Sequence, residues 1–244
     1  MKENHMAVSE SKIKEQICDI GKRIYDRGMV AANDGNISVK LNDNEYLCTP
    51  TGVSKGFMTP DYICKISKEG ELIESNDGFR PSSEIKMHLR VYEKRPDVGA
   101  VVHTHSKFAT CFAVSGQPLN RPIMSEAVVM LGCVPLAPYA TPSTAGIPDS
   151  IEPYLNDFDA VLLENHGVLT WSDDLMSAYM KMESLEFYAE LLYRTDLMGG
   201  ADVFTKEQIA ELVKVRHKMG ISGKYPADRT GKNCYKCERC FWKE

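Results

Sequence analysis

The chain has 244 residues, 43% of them hydrophobic and 26% charged, with a net charge of -5 at pH 7. That length and balance describe an ordinary globular protein with a substantial core, and the mild acidity offers no footprint for nucleic acid or an anionic membrane surface. No apolar run is long enough to span a bilayer, and Met1 to Glu10 carries no signal core, so a cytoplasmic protein is expected.

Ile13, Ile17, Ile20 and Ile24 recur at helical spacing ahead of Gly28, which predicts an amphipathic first helix with a glycine stop. The turn signal Asn33-Asp34-Gly35-Asn36 follows. Ile37 to Leu41 and Glu45 to Cys48 read as a hairpin around Asn42-Asp43-Asn44, broken by Thr49-Pro50-Thr51-Gly52. Tyr62 to Ser67 and Glu71 to Ile73 read as a second hairpin around Glu69-Gly70. Ser82-Ser83-Glu84 opens a second helix, with serine at the cap and an acid in the first turn, and Pro96 ends it. A strand from Val98 and a short helix from Ser106 to Val114 come next. The apolar run from Val128 to Leu136 is expected to form a strand near its end, and Pro148 to Leu155 a short helix. Asp159 to Glu164 and Val168 to Trp171 read as strands on either side of Asn165-His166-Gly167. Asp173 to Leu197 and Thr205 to Lys218 read as the last helices. Strands and helices interleave with short links and no repeat, so one α/β domain is expected.

The chemistry concentrates in Val98 to Ser106, V-G-A-V-V-H-T-H-S. In an extended segment side chains repeat every second residue, so His103 and His105 point to one side and form a chelating pair. His166 ends another apolar strand beside a glycine, where backbone can approach something closely. Three imidazoles with one position left open make a catalytic zinc site. Glu84 either supports its helix start, or acts as a general base, or is a displaceable fourth ligand. The turns Gly35-Asn36, Thr51-Gly52 and Ser82-Ser83 offer backbone N–H groups that together could cradle a phosphate, though each alone is an ordinary turn or cap. Of eight cysteines, Cys18, Cys48, Cys64, Cys111 and Cys133 sit among apolar neighbours and read as small hydrophobes, not as a disulfide framework. Cys234, Cys237 and Cys240 have metal-ligand spacing and could hold a second metal, such as zinc or an iron–sulfur cluster, with a fourth ligand from elsewhere. The alternative is a reduced tail without metal.

G-N-I-S at Gly35, T-P-T-G at Thr49, R-P-S-S-E at Arg80, V-V-H-T-H at Val101, A-P-Y-A at Ala137 and N-H-G at Asn165 occur in the order and spacing of the class II aldolase/adducin family. The resemblance spans about Ile13 to Gly220, nearly the whole chain, and is strongest to the bacterial L-fuculose-1-phosphate aldolases. Each motif alone is weak; the ordered set is specific. It implies an α/β fold, a three-layer α/β/α sandwich with a mostly antiparallel central sheet. It divides the chain into a catalytic domain, residues 9–220, and a cysteine-containing tail, residues 221–244. It implies Zn2+, or another divalent metal such as Mn2+, on His103, His105 and His166, with Glu84 as acid/base and possible fourth ligand. It assigns Gly35, Asn36, Thr51, Gly52, Ser82 and Ser83 to the substrate's phosphate. It also implies a homotetramer with active sites at subunit interfaces. The expected reaction is retro-aldol cleavage of a ketose 1-phosphate to dihydroxyacetone phosphate and an aldehyde. Neither nucleic acid nor membrane is expected as a partner.

Two positions depart from the fuculose-phosphate pattern. Ser125 or Glu126, and Met219, stand where those enzymes have tyrosines on the aldehyde side, with Tyr225 or Tyr235 as substitutes if the tail folds back. A smaller or less polar aldehyde follows, from 5-deoxyribulose or 5-methylthioribulose 1-phosphate. A ribulose-5-phosphate 4-epimerase is disfavoured, because that branch has aspartate in place of Glu84 and an acid at the position of Val128. An adducin-like binding protein without catalysis need not keep the three histidines.

Overall fold

The computed structural model describes residues 9–76 and 78–224. Its frame is one sheet of eight strands: β1 (Asn36–Lys40), β2 (Glu45–Cys48), β3 (Cys64–Ser67), β4 (Leu72–Glu74), β5 (Ala100–Thr104), β6 (Leu136–Ala137), β7 (Ala160–Leu163) and β8 (Gly167–Ser172). They lie in the order β4-β3-β2-β1-β5-β8-β7-β6, and only the β6–β7 pair is parallel. β5 is therefore central, with Asn36 of β1 opposite His103 on one side and Leu169 of β8 opposite it on the other.

The period-2 alternation of the strands sorts their side chains into two cores. Ile37, Ala100, Val102, Leu162 and Val168 pack with α1 (Glu10–Asp26), α3 (Lys107–Val114), α4 (Ser125–Met130) and α6 (Leu175–Leu197). Tyr46, Val101, Val161, Leu169 and Trp171 pack on the other face with α2 (Ile85–Lys94) and α5 (Gly146–Ile151). Each fully buried aliphatic or aromatic side chain contributes about 1.5–3 kcal/mol. By this parity His103 belongs to the α2 face, and Thr104 to the α6 face, where its hydroxyl meets Met182.

The helix ends explain most of the boundaries. Ser9 caps α1, and Asp174 caps α6 by accepting from the Ser177 N–H. Thr205 and Gln208 form a reciprocal capping box on α7 (Lys206–Met219), which Gly220 ends at φ 64°. The run from Val128 to Leu136 enters the sheet only near its end, where Leu136 and Ala137 form β6 as expected, while its first residues finish α4, a helix the sequence pattern did not signal. The helix is held by tertiary contact, since the buried Arg216 guanidinium donates to the carbonyls of Val129 and Met130 at its end. One sequence expectation shifts: α2 begins at Ile85, so Glu84 is the N-cap residue and not part of the first turn.

Cys18, Cys48, Cys64, Cys111 and Cys133 are all free thiols, as expected. Cys234, Cys237, Cys240, Tyr225 and Tyr235 lie outside the described residues. Among the described residues no helix is long and apolar enough to cross a membrane.

Candidate metal centre

Three elements deliver the imidazoles. His103 is the fourth residue of β5, His105 follows its end, and His166 sits in the tight turn between β7 and β8. Asn165 supports that turn with a positive φ of 54°. Gly167 has to be glycine because the strands run so close. A Cβ there would lie 2.5 Å from the Thr104 carbonyl oxygen and 2.8 Å from the His105 ring. Gly35 flanks the histidines on the β1 side, where a Cβ would lie 2.8 Å from the His103 carbonyl oxygen. One ligating nitrogen from each of the three histidines lies within 4.8 Å of the others.

Their outer nitrogens fix the tautomers. His103 Nδ1 lies 2.9 Å from the Val168 carbonyl oxygen, which only accepts, so Nδ1 carries the proton. His105 Nδ1 faces Asp34 Oδ2 at 3.2 Å and is protonated for the same reason. Both Nε2 atoms are then lone pairs, and they face each other at 3.2 Å. Two lone pairs at that distance repel unless a cation lies between them. A tetrahedral zinc with Zn–N of about 2.0–2.1 Å holds its nitrogens about 3.3–3.4 Å apart. Burial pushes the pKa of His103 well below the usual imidazole value, and burial followed by the neighbouring His166 lowers that of His105. Both are therefore held neutral, which is the ligating form. The donor set fits a divalent metal.

Glu84 closes the group. Its Oε2 accepts from Asn36 Nδ2 at 3.0 Å and lies 3.4 Å from His103 Nε2. Its Oε1 lies 3.1 Å from His166 Nε2, off the angle of a hydrogen bond, and has no other protein donor among the described residues. Burial pushes the carboxyl pKa up. The contact with His166, the electrostatic pull of the His103 and His166 rings and the Asn36 amide more than offset it, so the group is held below the usual carboxylate range. Asn36 Oδ1 and His166 Nδ1 are also buried without a protein partner among the described residues.

The small polar turns converge beside this group. Asn36 starts β1 next to His103, and the Thr51 N–H donates to the Arg80 carbonyl at 2.9 Å. The Ser82 N–H donates to the Thr49 carbonyl at 3.2 Å, which lays the segment of Ser82 and Ser83 along that of Thr51 and Gly52. Gly35 and Gly52 both have positive φ, 74° and 73°. Ser125 and Glu126 lie on α4, and Met219 ends α7, which packs against α4. The sequence reading passed over Asp34, which stood inside a turn already marked as dense in polar residues. Nothing local signalled a contact reaching 71 residues along the chain, from Asp34 to His105.

The comparisons with known proteins agree with this geometry. The family profile described as "Class II Aldolase and Adducin N-terminal domain" matches residues 15–193. The 3-oxo-tetronate 4-phosphate decarboxylase of Escherichia coli K12 is 32% identical over 209 residues, covering 83% of this chain and 96% of that protein. The 5-deoxy-D-ribulose 1-phosphate aldolase of Bacillus thuringiensis serovar kurstaki is 32% identical over 205 residues, covering 83% and 94%. Among solved structures, an L-fuculose 1-phosphate aldolase superposes with a TM-score of 0.76 at 27% identity, covering 87% of this chain and 98% of that one.

Proposed function

The chain belongs to the class II aldolase and adducin family, and its similar relatives include an aldolase and a decarboxylase; we propose that it cleaves a ketose 1-phosphate to dihydroxyacetone phosphate and an aldehyde. L-fuculose 1-phosphate and 5-deoxy or 5-methylthio ketose 1-phosphates are the candidate substrates. The observation that carries the reading is the pair of facing imidazole lone pairs with the Glu84 carboxylate on the same spot.

His103, His105 and His166 would hold a divalent metal, zinc by the chemistry of three imidazole donors, and the metal would supply Lewis-acid stabilisation to the enediolate left by cleavage. Asn36 holds one oxygen of Glu84 and leaves the other free to move a proton. While Glu84 faces the imidazoles it is too acidic to keep a proton. Once substrate oxygens take its place there, burial dominates and its proton affinity rises. As C3–C4 breaks, a base takes the C4 hydroxyl proton, C4 becomes the aldehyde, and the electron pair stays on C3. Glu84, which takes up a proton from solvent once the substrate oxygens have displaced it from the imidazoles, gives that proton to C3 and returns to the carboxylate. The turns of Gly35, Asn36, Thr51, Gly52, Ser82 and Ser83 hold the phosphate, with their N–H groups and hydroxyls as donors.

We further read the two helical faces of the sheet as an α/β/α sandwich, and the active form as a cytoplasmic homotetramer. A neighbouring subunit would then bring α4 and α7 to the aldehyde side.

A second reading shares every step but the leaving group. Loss of CO2 from a 3-oxo acid carrying a 4-phosphate leaves the same enediolate of dihydroxyacetone phosphate. It needs no group to take a hydroxyl proton on the leaving side. The absence of tyrosine at Ser125, Glu126 and Met219, and the name of the Escherichia coli relative, favour it. A cleavage panel with L-fuculose 1-phosphate, 5-deoxyribulose 1-phosphate, 5-methylthioribulose 1-phosphate and 3-oxo-tetronate 4-phosphate decides. Dihydroxyacetone phosphate with an aldehyde is the expected outcome, and the same product with CO2 alone selects the second reading. No product and no bound divalent metal would overturn both.

A further inference from the structure

Outside the imidazole group, the most unusual buried side chain is Lys55. It is 1% exposed, although lysine is almost never fully buried without a charged partner. Its Nζ donates to the carbonyl oxygens of Asn33 at 3.0 Å and Val53 at 2.6 Å. Both acceptors are neutral, so they orient the ammonium without cancelling its charge. Asp34 is the acid whose field reaches it, and the Asp34 carboxylate is turned to His105.

The two carbonyls belong to two different turns. Asn33 opens the one that carries Gly35 and Asn36, and Val53 closes the one that carries Thr51 and Gly52. Lys55 itself stands on a fixed base. It starts a single 3-10 turn, Lys55–Phe57, that α1 crosses closely enough for a Cβ on Gly21 to lie 2.8 Å from the Lys55 carbonyl oxygen. The Tyr25 ring packs against Gly56 from the same helix. Hydrogen bonds from a charged donor are among the stronger ones a protein makes, and two of them from one atom fix the distance between their acceptors.

We infer that Lys55 is the positioning residue of the anion site: its ammonium clasps the Gly35–Asn36 turn to the Thr51–Gly52 turn and leaves an uncancelled positive charge beside them for the substrate's phosphate. The inference rests on the assignment of those turns to the phosphate in the proposed function. Burial lowers the Lys55 pKa to about 8, with Asp34 opposing, so the group remains mainly cationic at neutral pH.

Lys55→Met keeps the apolar stem and removes the charge and both donations. The probe is inorganic phosphate, titrated calorimetrically into the metal-loaded full chain at pH 7, beside Ser83→Ala as a test of the turns themselves. The expected result is a loss of phosphate affinity of at least about tenfold in Lys55→Met, with bound metal per subunit unchanged. For the substrate found in the cleavage panel, KM should rise by a similar factor while kcat stays within about threefold. Weaker phosphate binding in Ser83→Ala with none in Lys55→Met would overturn the role of Lys55 and leave the phosphate turns standing. Unchanged binding in both variants would overturn the phosphate assignment itself. Hydrogen exchange on the unaltered chain gives a reading that does not depend on the variant folding. Phosphate should protect segments 33–36 and 51–53 together, and protection of one without the other contradicts the clasp.

Discussion

Glu84 occupies the junction between a polar turn and α2, and its backbone and side chain do different work. The backbone N–H turns back to Ser82 Oγ at 3.3 Å, and the carboxylate is left to face the imidazoles. On the proposed reading Glu84→Gln keeps the shape and the Asn36 contact but carries no transferable proton. It should lower kcat by about 10²–10⁴ while total bound metal, read by elemental analysis, stays near one per site. Retained turnover would remove Glu84 from the chemistry. Gly167 tests the geometry from the other side. Gly167→Ala places a methyl against the Thr104 carbonyl and the His105 ring, a cost of about 1–3 kcal/mol by overpacking. It should lower both the melting temperature and metal occupancy. At this scale the sequence spacing of His103 and His105 was readable, because two residues is the period of a strand. Asp34 was not, since a second contact to a ligating imidazole leaves no local pattern.

Beside Glu84, the elements α2 and β1 share a buried polar seam. His88, one turn beyond Glu84, shares a hydrogen bond of 2.8 Å with Ser38 Oγ, which also lies 2.8 Å from the Tyr92 hydroxyl. The sequence offered only a histidine on a helix face with no function required. Its complete burial follows from β1 presenting Ser38 on the α2 side of the sheet. Burial lowers the His88 pKa to about 3, with the Glu84 charge opposing. The unfolded chain takes up a proton near 6.5 that the folded chain refuses until about 3. Stability present above pH 6.5 is therefore lost as pH falls towards 3. In denaturant titrations at pH 7 and pH 4, His88→Gln should lose on the order of 3 kcal/mol less than the unaltered chain. An equal loss in both would mean that His88 is protonated in the fold. The same scale explains why no helix was foreseen over Ser125–Met130: the residue that holds its end, Arg216, lies on another helix.

For the whole molecule, the candidate metal site brings together the middle of the sheet and the start of α2, from β5, the β7–β8 turn and the Glu84 junction. A ligand held by the folded chain alone stabilises it by mass action, about 4 kcal/mol at a thousandfold excess over Kd. For a protein of this size that corresponds to a melting shift on the order of 10 °C on chelation. Restoration by added zinc is expected, and a melting curve indifferent to chelator would contradict a structural share for the metal. The order of strands and helices was legible in chain order because periodicity and caps are local. The strand order β4-β3-β2-β1-β5-β8-β7-β6 was not, since pairing is decided between segments far apart.

By itself the sequence determined the residue types, the two-residue spacing that aims His103 and His105 together, the ordered motifs of the family and the positions of most elements. These follow from short-range rules: side-chain period, turn chemistry and caps. His166 was grouped with the pair from the sequence, but only the tertiary structure decided that the lone pairs of His103 and His105 meet, which atoms of Glu84 face the imidazoles, and that Lys55 is buried between two turns. Each of those depends on which strand lies beside which. A sheet fixes that through backbone pairing and through the sorting of side chains to its two faces.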